Sequence, residues 1–228
     1  HYELTQEERF FMNLFSYDSP FSRFLYFVAD IVTLHFLWIL YSLPIITIGA
    51  STTALYYSCM KRIRTGEGYV TQNFRKSFRQ NFKQSTILWI VLVLVGLVFS
   101  IDIRFSMALD NTMGRVMLVS CSVFLIPFVL LALYIFPVQA KFENNIFNNV
   151  KNALLMSIRH FFCSLLLLVI YLTIILLGIS FPPFIGLFLC CGIGLTGYLT
   201  SNIFIYIFRK YIPDELEQDL DASGKTFY

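Results

Sequence analysis

Charge is what this sequence has least of. Asp, Glu, Lys and Arg make up 14% of the chain, where a soluble domain carries about 25%, and 57% of the residues are hydrophobic. With a mean hydropathy of +0.69, such a chain would not stay in water, so its solvent is expected to be the bilayer. Catalytic signatures are missing too. The sequence contains no HExxH and no Walker A run. Its three histidines, His1, His35 and His160, are scattered, so no metal site is expected. The five cysteines, Cys59, Cys121, Cys163, Cys190 and Cys191, show neither CxxC spacing nor an extracellular pairing pattern and read as small apolar fillers. Gly192-Ile193-Gly194-Leu195-Thr196-Gly197 fits GxGxxG, but it lies inside an apolar run with no strand before it. Glycines that let membrane helices approach explain it better than a nucleotide fingerprint. These absences point away from an enzyme, a cofactor and nucleic acid.

What is present is a series of long apolar runs. About 20 apolar residues cross the hydrocarbon core. Runs of that kind cover 24–43, 86–101, 116–137, 161–179 and 184–208. Between them, Lys61 to Gln84 holds seven Lys and Arg against one acid, Glu67, and Lys141 to His160 holds Lys141, Lys151 and Arg159. The loop from Asp102 to Arg115 balances two bases with two acids. Short basic loops stay cytoplasmic.

One stretch decides the topology: Leu43 to Tyr57, LPIITIGASTTALYY. If it does not cross, 13 Lys and Arg lie inside and four outside; if residues 45–60 cross, the split is 15 to two. The second fits the positive-inside rule better, and Pro44 suits the first turn of a new helix. The expectation is six transmembrane helices with both termini cytoplasmic, the second span tightly paired with the first. A re-entrant helix is the alternative. Gly49, Ala50, Ser51, Thr52 and Thr53 then read as a small-residue face for a helix contact, either internal or with a partner. A substrate groove lined by Thr47, Ser51, Thr52 and Thr53 is the functional alternative.

Two cytoplasmic segments, 66–84 and 141–160, look amphipathic. In the first, Phe74, Phe78 and Phe82 recur every four residues beside Arg75, Lys76, Arg79 and Lys83; in the second, Val150, Leu154 and Ile158 share that spacing. Such helices lie on anionic lipid or dock a partner. The two stripes align at an offset of 76, and Ala54-Leu55-Tyr56 recurs as Ala132-Leu133-Tyr134, which suggests a parallel internal repeat. Asp30 and His35 sit within the first span, where polar groups are costly and often functional. They are the candidate ligand or ion positions. If the first two spans form a hairpin about Pro44, Lys61 or Arg62 could reach Asp30 and lock it.

Asp18-Ser19-Pro20 reads as the start of the first span, and Thr5 with Glu8 as a capping box for a short interfacial helix. The polar, acidic opening HYELTQEERF does not read as a cleavable signal peptide. Residues 213–228 form an acidic tail, expected to be mobile, after a single transmembrane domain spanning 1–212.

Tyr17 to Tyr57, YDSPFSRFLYFVADIVTLHFLWILYSLPIITIGASTTALYY, with the basic NFRKSFRQNFKQSTILW that follows, resembles the YesL-like family of bacterial integral membrane proteins. The resemblance implies a Gram-positive cell-membrane protein associated with carbohydrate uptake, particularly with ABC importers. It supplies no catalytic residues. The expected function is therefore a non-enzymatic accessory subunit of a carbohydrate ABC importer, with membrane lipid and permease subunits as partners. A small autonomous transporter or channel using the Asp30–His35 region is the alternative, and a membrane sensor signalling to a cytoplasmic partner is a third reading.

Overall fold

A computed structural model describes residues 20–66, 68–109 and 111–212, and among these the chain is all-helical, with no strand. Helix α1 (Pro20–Ser42) leads through a bend and one 3-10 turn (Ile45–Thr47) into α2 (Ile48–Thr65). Helices α3 (Val70–Ala108) and α4 (Thr112–Lys141) follow, then α5 (Ile146–Arg159) and α6 (Phe161–Ser180). The short α7 (Pro182–Leu187) passes through a π-helical turn (Phe188–Gly192) into α8 (Ile193–Phe208). Five stretches are long and apolar enough to cross a bilayer: Phe21–Ser42, Val70–Ala108, Thr112–Lys141, Phe161–Ser180 and Pro183–Phe208. The protein is thus a multi-pass membrane protein. The start signals at Thr5, Glu8, Asp18 and Ser19 and the acidic tail fall outside the described residues.

Helix α2 is not among those five, and its surroundings say why. Gly49, Ala50, Ser51, Thr53, Ala54, Leu55, Tyr56, Ser58, Cys59 and Met60 are all buried. The helix packs most extensively on α3 and also touches α4, α8 and α1. A helix wrapped by other helices need not be apolar, because protein rather than lipid meets its side chains. Its five serine and threonine hydroxyls (Ser51, Thr52, Thr53, Ser58 and Thr65) each bond a carbonyl one turn back. Its end is fixed by Gly66, whose φ of 71° is the left-handed cap that an L side chain rarely adopts.

Several boundaries differ from the sequence expectation. Pro44 stands before the helix, extended at φ −75° and ψ 109°, so α2 begins at Ile48 rather than at Ile45. Thr47 holds this bend, its hydroxyl lying 2.6 Å from both the Tyr41 and Pro44 carbonyls. Residues 70–84 are not a separate segment but the first turns of α3, which runs on unbroken into the apolar run. No Gly or Pro stands at the change of composition, so nothing stops the helix there. Helix α4 continues through Pro127 and Pro137 to Lys141, one turn past the expected end. In the second half of the proposed repeat the corresponding helices, α5 and α6, are separated at His160, whereas α3 is continuous.

The core forms where α2, α4 and α8 meet. Tyr56 and Tyr134 set their rings edge-on against Phe204, at 5.6 and 5.2 Å. A smaller cluster joins Leu34 of α1 to Leu55 and Cys59 of α2 and to Val70 and Phe74 of α3. The glycines of the GxGxxG run serve close approach. A Cβ on Gly194 would stand 2.3 Å from the Ile31 carbonyl oxygen of α1, and one on Gly197 2.9 Å from the Leu55 side chain of α2.

Candidate functional site

Asp30 and Arg62 meet across the α1–α2 hairpin. Arg62 Nε donates to Asp30 Oδ2 at 2.7 Å, both side chains being about one-sixth exposed. Three turns of α1 place Asp30 beside the last turn of α2, as the hairpin geometry requires. Lys61 turns elsewhere, donating to Asn73 Oδ1 at 3.1 Å. His35 lies one helical turn and a residue further along α1 and is fully buried. Its Nε2 is 2.6 Å from the Leu189 carbonyl oxygen, inside the π-helical turn, and its Nδ1 is buried without a hydrogen-bond partner. The structure therefore does not bring Asp30 and His35 into one site: one joins α1 to α2, the other α1 to the α7–α8 turn.

The small residues of α2 face inward, and the neighbour of Gly49 is not α1. A Cβ on Gly49 would lie 2.4 Å from the Ser85 carbonyl oxygen, 2.6 Å from Trp89 Cβ and 3.0 Å from Phe136 Cε1. Thr53 Oγ1 is 2.9 Å from Ser85 Oγ, and Trp89 Nε1 donates to the Ile45 carbonyl at 2.9 Å. The tight pairing of the first two spans through this face is thus replaced by pairing of α2 with α3. Ala50 and Ser51 are also buried. Thr52 alone of the set looks toward open space, accepting from Trp38 Nε1 at 3.1 Å.

That open space surrounds a hydroxyl cluster which sequence reasoning missed. Tyr56 Oη lies 2.8 Å from Tyr171 Oη and accepts from Thr200 Oγ1 at 3.2 Å. A cavity of about 190 Å³ lies on one side, lined by Trp38, Thr52, Leu55, Ile174 and Thr196 among others. A second, of about 290 Å³, lies on the other, between Thr52, Phe128, Ala132 and Phe136. Both share Thr52, Tyr56 and Tyr171. Tyr171 is thus a polar point at which α6 reaches the bundle, beside Ser164, whose Oγ lies 2.8 Å from Tyr134 Oη of α4. A lone Tyr inside LLLLVIYLTIILL was the available signal.

A second cluster was also missed. Gln139 Nε2 donates to Asn81 Oδ1 at 3.1 Å and to Gln84 Oε1 at 2.7 Å, and its Oε1 accepts from Asn149 Nδ2 at 2.5 Å. This amide chain ties α3, α4 and α5 together. It also sets the facing of α5. Asn149, Ala153, Met156 and Ser157 are buried, while Val150 and Leu154 are half-buried and Ile158 is exposed. The expected stripe is therefore rotated outward by the polar contact at Asn149.

On α3 the aromatic stripe is progressively uncovered. Phe74 is fully buried, Phe78 half-buried and Phe82 exposed; Tyr41 of α1 packs edge-on against both Phe74 and Phe78. Arg75, Lys76, Arg79 and Lys83 are exposed. Between α5 and α6, His160 Nε2 lies 3.2 Å from Tyr211 Oη. Its pKa is lowered, by burial first and then by Lys210 and Arg159. Among the described residues no three His, Cys, Asp or Glu side chains gather as a metal cluster.

Residues 31–103 match the model of a family described as a protein of unknown function, DUF624, the family that includes the YesL-like proteins. The matched part begins beside Asp30 and covers the rest of α1, all of α2 and most of α3. No curated protein and no solved structure matches the chain significantly.

Proposed function

We propose that this protein is a non-enzymatic accessory subunit of a carbohydrate ABC importer, held to the permease through its transmembrane helices. The observation that carries this reading is the engagement of Asp30 by Arg62 at 2.7 Å, which makes the acidic group of the first span an internal lock rather than a vacant coupling-ion position. Exposed apolar side chains such as Val91, Leu94 and Val98 on α3 and Val119, Val123 and Phe124 on α4 give a permease helices to lie against. The carbohydrate class rests on the YesL-like resemblance. Gentle extraction of the native protein should bring an ABC permease with it in fixed stoichiometry, and the purified chain alone in liposomes should move no sugar or ion. Robust flux from the isolated chain would instead favour the second reading, a small transporter, which the two cavities flanking Tyr56 and Tyr171 support.

The topology belongs to the same proposal: six crossings in the cell membrane with both termini cytoplasmic, α2 being the second crossing. At 1.5 Å per residue the 18 residues of α2 span about 27 Å, close to the hydrocarbon thickness of about 30 Å. The start of α3 and α5 would lie along the cytoplasmic surface, and the two halves would be related by duplication. In a cysteine-free background, single cysteines at Leu43 and Tyr69, both exposed, should label from opposite sides with an impermeant reagent. Labelling of both from the same side would show that α2 turns back.

A further inference from the structure

Helix α6 meets the rest of the bundle at few points. Of its side chains only Ser164 and Leu167 are buried. Tyr171, halfway along it, reaches across to Tyr56 of α2, the two hydroxyl oxygens 2.8 Å apart. The space left on either side of this bridge is the pair of cavities of about 190 and 290 Å³. Together they fall within the range of about 300–1,000 Å³ usual for small-ligand sites. We propose that they form a binding site for a lipid alcohol, a molecule carried in the bilayer that is apolar except for a free hydroxyl head.

The walls exclude other ligand classes. Among the described residues no charged side chain lines either cavity, so a phosphate or carboxylate would meet no counter-charge there. Trp38, Phe128, Tyr171 and Ile174 are half-buried, which leaves the cavities reachable from outside. At the middle of a 20-residue span, outside is hydrocarbon, and the ligand that arrives by that route is lipid-soluble. Hydrogen-bonding capacity is also small. Thr52 already donates to the Ile48 carbonyl and accepts from Trp38, and Thr196 donates to the Gly192 carbonyl. A ligand with many hydroxyls would leave some of them buried and unpaired, which disfavours binding.

The Tyr171 hydroxyl remains open. Thr200 Oγ1 has two acceptors within reach, the Thr196 carbonyl at 2.7 Å and Tyr56 Oη at 3.2 Å, and its single proton serves one at a time. If that proton goes to Tyr56, the Tyr56 proton goes to Tyr171, and the Tyr171 proton is left over. If it goes to Thr196, the protons run the other way, from Tyr171 through Tyr56 to Thr200, and the Tyr171 oxygen accepts nothing. In both cases Tyr171 ends the chain with unused capacity, as a donor in the first and an acceptor in the second. A hydroxyl is both donor and acceptor, so an alcohol fits either arrangement, whereas a carbonyl or ether fits only the first. The π-helical turn supplies one wall of the smaller cavity through Phe188. A Cβ on Gly192 would run into the Phe188 ring, so this glycine sets where that wall stands. Such turns are frequent at functional sites.

The full chain in phosphatidylcholine nanodiscs tests this with two lipid alcohols, phytol and dioleoylglycerol, each counted on the protein by native mass spectrometry. Phytane, which is phytol without the hydroxyl and the double bond, is the reference. Phytol or dioleoylglycerol should be retained severalfold more than phytane. Tyr171→Phe keeps the ring and removes the hydroxyl, and should lower retention of the alcohol about threefold to tenfold. Tyr206→Phe, exposed on α8, should leave it unchanged. Dependence on Tyr171 for phytol alone assigns the site to isoprenoid alcohols, and for dioleoylglycerol alone to glycerides. If Tyr171→Phe does not fold, Ile174→Trp with Ala132→Leu, which narrow the two cavities, should exclude the alcohol. Retention of neither alcohol above phytane overturns the proposal, as does unchanged retention in either folded variant. A permease that fails to co-purify leaves this result untouched, because the site lies within the one chain.

Discussion

Replacing Gly49 with leucine is expected to abolish the folded protein rather than loosen a contact with a partner. The atoms that a Cβ would meet belong largely to the body of α3: the Ser85 carbonyl oxygen at 2.4 Å and Trp89 Cβ at 2.6 Å. Neither can rotate away, and Trp89 is held by its bond to the Ile45 carbonyl. Relief would require α2 and α3 to separate, which would strain the Thr53–Ser85 hydroxyl contact and open the space before Phe136. Overpacking costs about 1–3 kcal/mol when side chains can adjust. Obstruction by backbone belongs at or above the top of that range, so even Gly49→Ala should lower stability by about 3 kcal/mol. Gly178 on α6 supplies the control. A Cβ there meets no atom within 4 Å, and Gly→Ala inside a helix is worth about 0.5–1 kcal/mol in favour of alanine. Thermal midpoints read by size-exclusion fluorescence should place Gly49→Leu as aggregate, Gly49→Ala well below the parent and Gly178→Ala at or above it. A folded, monodisperse Gly49→Leu protein would mean that this face does not close on α3.

The same residue shows where the sequence stops informing. That Gly49, Ala50 and Thr53 form a close-packing face is legible, because small side chains at one-turn spacing have that meaning wherever helices touch. Which helix they touch is not, since spacing carries no address, and α3 takes the place that adjacency gave to α1. The five apolar runs are legible because lipid demands apolarity on every exposed face. Helix α2 escapes that demand by being surrounded, and so its hydroxyls and glycine resemble a loop or groove. The Asp30–Arg62 pair follows from counting residues along a hairpin. The Tyr56–Tyr171–Thr200 cluster joins residues 115 and 144 positions apart, and no local pattern relates them. The outward turn of α5 has a similar cause, because one buried amide at Asn149 outweighs the apolar period around it.

That amide chain is the basis of the second large effect. Gln139→Leu should detach α5 from the bundle and lower stability by about 2 kcal/mol. Gln139 is 3% exposed and Asn149 fully buried. Removing the glutamine amide leaves Asn149 Nδ2 with only a long contact to the Asn144 carbonyl, at 3.4 Å. Asn149 Oδ1 is already buried without a hydrogen-bond partner, so this side chain has little left to hold it inside. An orphaned buried polar group costs about 1–3 kcal/mol in water-soluble proteins. In membrane bundles each interhelical hydrogen bond averages about 0.6 kcal/mol, since the unpacked helices find other partners. Three such bonds converge on Gln139, and both scales arrive near the same figure. The decisive comparison is with the double variant Gln139→Leu, Asn149→Leu. Removing both partners should recover part of the loss, because the fully buried Asn149 amide is then gone and only the half-buried Asn81 and Gln84 have lost their donor. Hydrogen exchange across residues 146–159 should rise in the single variant and fall back in the double. Equal, additive losses from the two substitutions, with no change in exchange along α5, would show that the amide chain does not hold this helix in place.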